Sequence, residues 1–318
     1  MHGIFTLFRK ELEDHFSSVR FLLISALIVM VGVIIASMVG MGIQEESKGM
    51  AKPTLLFLWL FTSTGKLFSF VQFIGFFGPL IGIFLGFDSI NRERVSRTLS
   101  KLASQPIYRD SIINAKFLAG LATIAIVLVG IVLIISGLGI RLIGVVPGSE
   151  EVLRLAIYVI TSILYVSFWL GIAILFSVVF RSTATSALAS LAVWIFFSFF
   201  VGLGAGFMAN AVAPISQSST NADLMKNEEV QRAVSLLSPA NLYNEATTTI
   251  LDPTRKTTRG FVLVGPLERF SLSRFQNPLP LLQSLIIVVW YLIAIIAITF
   301  VCFGVCYLVF MRQEIRTV

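Results

Sequence analysis

Few residues in this 318-residue chain have the types and spacing that chemistry needs. Its only cysteines, Cys302 and Cys306, stand one helical turn apart within an apolar run, a spacing that suits either soft-metal ligation or ordinary helix packing. Intramembrane hydrolysis requires a nucleophile with a base, or a metal with its ligands. The only histidines, His2 and His15, both precede the first apolar run. Glu150 and Glu151 lie beside Arg154 without a histidine near them in sequence. No G-x-x-x-x-G-K-[ST] loop occurs, and Thr64-Gly65-Lys66 lacks the earlier glycine, so the sequence offers no cradle for nucleotide phosphates. These patterns yield no catalytic, cofactor-binding or metal-ligating residues.

The elements around these residues are built for lipid. Hydrophobic residues make up 56% of the chain and charged residues 13%, and mean hydropathy is +0.90, outside the usual range of soluble domains. Six apolar runs, Phe21 to Met41, Leu67 to Phe87, Phe117 to Ile140, Leu153 to Phe180, Ala184 to Met208 and Ser284 to Phe310, each reach the ~20 residues that a spanning helix needs. The first exceeds the roughly 7–15 residues of a signal-peptide core and has no A-x-A site after it, so it reads as a retained helix. The expected fold is an all-α integral membrane protein forming a single permease-like domain over 1–318.

Lysine and arginine distribution sets the orientation. Twelve lie in the N-terminal segment, the second and fourth loops and the tail, against five in the short opposite loops. Seven more lie between Ala209 and Gln283, where six acids nearly cancel them. Both termini are therefore expected in the cytoplasm of a cell-membrane protein, and the net charge of +7 mostly reports topology. Nucleic-acid binding is a poor reading, because no basic stretch interleaves with stacking aromatics.

Within this frame, 1–20 reads as an interfacial helix with Phe5, Phe8, Leu12 and Phe16 on an apolar stripe, together with Ile4. Helices one to five fill 21–208, with a long cytoplasmic loop at 88–116. The segment 209–283 reads as a small external cap with helices up to Leu237 and from Pro239, a basic cluster at Arg255, Lys256 and Arg259, and a strand-like Phe261–Val264. Helix six fills 284–310. In the second span, Gly75 precedes Gly78, Gly82 and Gly86, which share one face and suit packing either within the chain or against a second subunit; Pro79 removes a backbone donor. Arg181-Ser182-Thr183 makes a tight hairpin between helices four and five. Gln72 is the main strongly polar exception inside the spans, with Arg154 at an edge. This scarcity of midplane ionisable groups weighs against a secondary transporter or a channel.

If Ile90 to Ser104 is helical, Val95, Leu99 and Leu102 share one face, opposite Arg94, Arg97 and Lys101. Such a helix suits either a protein groove or anionic headgroups. The residues Glu93-Arg94, Thr98-Leu99, Pro106, Arg109 and Lys116-Phe-Leu-Ala-Gly120 resemble the E-R-x-x-G-T-L, P-x-x-R and K-x-x-x-G pattern of ABC-2 type permeases. The order of parts is similar to the six-helix branch that includes permeases of nitrous-oxide-reductase maturation, sodium export and gliding motility. Phe8-Arg-Lys-Glu-Leu12 and Leu237-Ser238-Pro239 extend the resemblance over essentially the whole chain, although Arg97 stands where the pattern has glycine. The resemblance implies a permease subunit working as a pair, with a second copy or a paralogue, in membrane lipid. ATP and Mg would be bound by a separate ABC ATPase subunit docked on Glu93, Arg94, Val95, Arg97, Thr98, Leu99, Lys101, Leu102, Pro106 and Arg109. Substrate export is the expected outcome, with ATP-driven force on external partners as the alternative.

Overall fold

The computed structural model describes residues 2–46, 55–62, 69–96, 108–215, 221–252 and 279–313. Among them the secondary structure is helical throughout: α1 (His2–Ser17), α2 (Val19–Glu46), a 3-10 turn (Leu56–Leu60), α3 (Phe70–Gly86), α4 (Asn91–Val95), α5 (Arg109–Ile143), α6 (Ser149–Val179), α7 (Thr183–Ile195), a π turn (Phe196–Phe200), α8 (Val201–Val212), α9 (Asn221–Ser235), α10 (Pro239–Leu251) and α11 (Leu281–Arg312). Six helical segments are long and apolar enough to cross a membrane: α2, α3 with α4, α5, α6, α7 through α8, and α11. They coincide with the six apolar runs in the sequence, and the protein is an all-α integral membrane protein. The basic cluster at Arg255, Lys256 and Arg259 and the Phe261–Val264 stretch lie outside the described residues.

The centre of the bundle is α3 against α6. Two-thirds of the most apolar stretch of each is buried (67%), against 11% for α7–α8. Glycine explains the contact. A Cβ on Gly82 would fall 2.5 Å from the Val166 carbonyl oxygen, and one on Gly86 would fall 2.7 Å from the Ala173 Cβ. A Cβ on Gly78 would meet the Val166 side chain at 3.0 Å, and one on Gly75 would meet Asn244 Oδ1 at 2.7 Å. This glycine row therefore packs within the chain, on α6 and α10. Close backbone approach supplies the dispersion contacts that hold helices together where lipid removes the hydrophobic drive.

Pro79 sits inside α3 and cannot donate to the Gly75 carbonyl one turn back. Tyr165 on α6 fills the gap, its buried hydroxyl donating to Gly75 O at 2.7 Å. In a water-free interior that bond satisfies an acceptor the helix itself abandons. Gln72, expected as a polar group within a span, lies in the first turn of α3 at the start of that span. Ser69 Oγ accepts from Gln72 N, and the Gln72 side chain accepts from Ser69 N, a reciprocal capping box.

At the same end of the bundle Arg154 stands near the start of α6, at the edge of its span as expected, and is fully buried. It pairs with Glu150 at 2.8 Å and donates to Ile250 O, Leu279 O and Ser284 Oγ, joining α6 to the end of α10 and the start of α11. Its neighbour Glu151 accepts from Gly148 N and from Phe57 N, closing the first turn of α6 and fixing the 3-10 turn. Two charged residues adjacent to an apolar run thus act as backbone caps. The expected cap helices are present as α9 and α10, but α10 is inserted into the bundle, with Tyr243, Ala246, Ile250 and Leu251 fully buried. Between α7 and α8 the π turn pairs Val201 N with Phe196 O, while Ser238 Oγ donates to Phe197 O at 2.8 Å. The Leu237-Ser238-Pro239 motif therefore ties the start of α10 to that interruption.

Tyr165→Phe should destabilise the purified protein by about 1–3 kcal/mol, because it leaves a buried carbonyl unpaired. In a Pro79→Ala background the cost should fall below about 1 kcal/mol, since alanine restores the helical donor. Thermal unfolding of the four proteins of this cycle in detergent measures the coupling.

Candidate coupling site

At the opposite end of the bundle three helices meet around one charge. Lys116 on α5 is buried, and its Nζ lies 3.0 Å from Glu11 Oε1 on α1 and 2.9 Å from Glu93 Oε1 on α4. Both carboxylates are buried as well. Lys10, half exposed, reaches Glu11 at 3.5 Å, Asp14 at 3.7 Å and Glu93 at 3.9 Å, and Arg92 lies 4.0 Å from Asp14. A lone ammonium at this depth would be costly, so two carboxylates at contact distance are a condition of its burial.

The local sequence explains the meeting. Leu7 and Glu11 lie one turn apart on the face of α1 that packs against the bundle, while Phe5 and Phe16 remain exposed. The apolar stripe of α1 is thereby divided: Ile4 and Phe8 pack against the core, and Phe5 and Phe16 project away from it. Phe16 still closes edge-on to Phe21, at 5.6 Å, across the break at Ser18.

Short α4 is fixed at both ends. Ser177 Oγ accepts from Ile90 N at 3.0 Å and Asn91 N at 3.2 Å, capping its start against α6. Arg94 donates to Val178 O at 3.0 Å and Phe180 O at 3.4 Å, a cation on the carbonyl end of α6, and also bonds Gln313 Oε1. Gln313 in turn donates to Val178 O and accepts from Arg109 through its backbone carbonyl. Glu93, Arg94 and Arg109 thus converge on the ends of α1, α5, α6 and α11. Val95 at the end of α4 points outward, 76% exposed. The predicted helix Ile90–Ser104 is helical over Asn91–Val95 with a turn at Ser96, and Arg97, Thr98, Leu99, Lys101, Leu102 and Pro106 lie outside the described residues.

Protonation follows from burial and charge. Burial pushes the Glu11 carboxyl up, but the Lys116 ammonium, by charge and by hydrogen bond, outweighs it with help from Lys10 and holds the group below its ordinary value. Burial holds His15 below its ordinary value, Lys116 and Arg92 adding to the effect and Glu11 opposing it. His15 therefore stays neutral where an exposed histidine begins to charge.

Four residues of this site escaped the motif reading as structural partners: Glu11, Lys116 as a buried charge, Ser177 and Gln313. Glu11 and Lys116 did leave a signal, each being a lone charge on an otherwise apolar helical face and of opposite sign to the other. Ser177 and Gln313 left none. Among the described residues no group of three or more His, Cys, Asp or Glu is placed to hold a metal, and Cys306 is buried in α11 with Cys302 half-buried beside it.

Six candidate spans, an amphipathic helix at one end and a short helix strapped to it by buried ion pairs define a polytopic membrane protein. The family described as ABC-2 family transporter protein matches residues 5–315, and the chain belongs to that family. It is accordingly a permease-type membrane subunit of ABC transporters, a class usually not itself catalytic and generally associated with an ABC ATPase. Comparison with curated proteins finds no match.

Lys116→Met should leave Glu11 and Glu93 buried and uncompensated and destabilise the fold by about 3–5 kcal/mol. Adding Glu11→Gln and Glu93→Gln should recover most of that loss, as read by thermal unfolding in detergent. Acid should loosen α1. The lowered Glu11 pKa contributes stability that is complete above its ordinary 4.5 and is lost as pH falls through the lower folded value. The lowered His15 pKa acts with the same sign from about its ordinary 6.5 downward, because the unfolded chain takes up the proton first. Hydrogen exchange of α1 amides, corrected for intrinsic rates, should speed up between pH 7.5 and 5.5, and His15→Gln should reduce that change.

Proposed function

We propose that this chain couples ATP hydrolysis by a separate ABC ATPase subunit to export of a substrate, with α4 and the loop that follows it as the receiving element. The observation that carries this reading is the strapping of α4. Through Glu93 and Lys116 it holds α1 and α5, and through Arg94 it holds the end of α6 and Gln313 beyond α11, while Val95 faces outward. A push on α4 is then felt at the ends of four helices at once.

The lysine and arginine count supports a cytoplasmic position for this end and for both termini, and therefore insertion in the cell membrane. ATP and Mg sit on the partner subunit, since no phosphate-binding loop occurs in this chain. The permease works with a second copy or a paralogue, which meets surfaces other than the glycine row, because α6 already covers that row. The substrate path is gated by populations of two arrangements that nucleotide binding shifts. A docking surface on Val95, Leu99 and Leu102 completes the contact, flanked by Arg97, Thr98, Lys101 and Pro106. The alternative, force exerted on external partners, draws support from α10, whose insertion between α3, α6 and α11 would carry a bundle movement to segment 209–283.

Co-expression with the cognate ATPase tests the proposal. Leu99→Asp with Leu102→Asp should release the ATPase on purification, whereas Arg94→Gln should keep it bound but lower permease-dependent ATP hydrolysis about tenfold or more. Normal copurification and stimulation in both variants would refute the coupling role.

A further inference from the structure

A cavity of about 210 Å³ opens beside the Lys116 cluster, between the α1–α2 junction, the end of α3 and α4. Its volume is that of about seven liquid waters, enough for a small polar group and too small for a folded partner. The lining is amphoteric. Arg20 and Arg92 contribute guanidinium groups and Asp14 and Asp88 carboxylates, beside the paired Lys116 and Glu11, and no salt bridge involves Arg20 or Asp88 among the described residues. Ser89 also lines it, 8% exposed, and its hydroxyl has no hydrogen-bond partner. Its oxygen is shielded from the open volume, so the charged side chains carry the recognition.

We infer that this cavity binds the phosphoethanolamine headgroup of a membrane phospholipid, with the phosphate on Arg20 and Arg92 and the ammonium on Asp88. Charge complementarity excludes the simpler ligands. A bare phosphate would face three carboxylates, Glu11, Asp14 and Asp88, and a lone cation would face two guanidinium groups and the Lys116 ammonium, whereas a zwitterion satisfies both. A primary ammonium fits better than a quaternary one, because only the former donates hydrogen bonds to a carboxylate.

Position favours the bilayer over a soluble source. The cavity lies where three apolar helices end, with Asp88 just beyond the last residue of α3 and Arg20 near the start of α2. Phe21 and Phe84 are also in the lining and offer apolar contact to the glycerol and first methylenes of a lipid. The exposed Phe5 and Phe16 give α1 apolar anchors along the same interface.

Native mass spectrometry of the detergent-purified full chain tests the assignment by titration with dilauroyl phosphatidylethanolamine, the matching phosphatidylcholine, the matching phosphatidic acid and free phosphoethanolamine. A single saturable phosphatidylethanolamine adduct, roughly tenfold tighter than phosphatidylcholine, is expected, the factor corresponding to about 1.4 kcal/mol. Asp88→Asn should erase that preference, and Arg20→Gln should weaken both lipids equally. Glu13→Gln, on the exposed side of α1, should change nothing. Equal binding of the two zwitterionic lipids, tighter binding of phosphatidic acid, or a preference that survives Asp88→Asn would overturn the site. Free phosphoethanolamine binding as tightly as the lipid would overturn the bilayer as its source. The lipid comparison on the unmodified chain decides the matter even if a variant fails to fold.

Discussion

The burial of a single ammonium organises the end of the bundle where α1, α4 and α5 meet. Lys116 lies seven residues into α5 and is almost wholly removed from water, so it must find countercharge within the protein. Only other elements can supply it, and Glu11 and Glu93 come from α1 and α4. The requirement converts two peripheral pieces, a surface helix and a five-residue loop helix, into parts of the bundle. Apolar packing alone would hold α1 less specifically, because its apolar residues spread around more than one face and Phe5 and Phe16 remain outside the contact.

Buried charge and backbone satisfaction use the same logic at both ends. Arg154 caps the last carbonyls of α10 and the chain entering α11, and Arg94 caps the last carbonyls of α6. Helix ends expose unpaired carbonyls, and a guanidinium supplies several donors in a planar fork. Arginine therefore serves both as a countercharge and as the group that joins one helix end to another. The interior has the neutral equivalent in Tyr165, which restores a bond that Pro79 removes.

Much of the fold was legible in the sequence because lipid imposes one rule, about twenty apolar residues per span, and six runs met it. The start of α10 at Ser238-Pro239 and the hairpin at Arg181-Ser182-Thr183 were legible for local reasons, a proline at the first helical position and a stretch too short for anything else. The partner of the glycine row was not. Small residues at i, i+4 and i+8 state that a backbone comes close without saying which one, and only tertiary structure chooses α6. The capping roles of Gln72 and Arg154 were not legible for a related reason. A hydropathy window sees a polar residue inside a run, whereas capping depends on where the helix begins and which chain ends lie nearby. At the coupling site the motif marked Glu93 and Lys116 as important, but their direct contact, and the part of Glu11, required the fold.

The mechanical consequence concerns stiffness. Gly82 and Gly86 bring α3 and α6 to backbone contact, and Tyr165 bonds them again half a helix away. A seam this close has little slack, since interiors packed to contact deform by moving between discrete arrangements more readily than by yielding. Ser177 and Arg94 join α4 directly to the end of α6, and so to this pair. A displacement applied at α4 would then move α3 and α6 as one body. Relative motion would fall on α2 and α7–α8, whose apolar stretches are only 22% and 11% buried. The π turn between α7 and α8, tethered by Ser238 to α10, is the place where such motion can be accommodated without breaking a spanning helix.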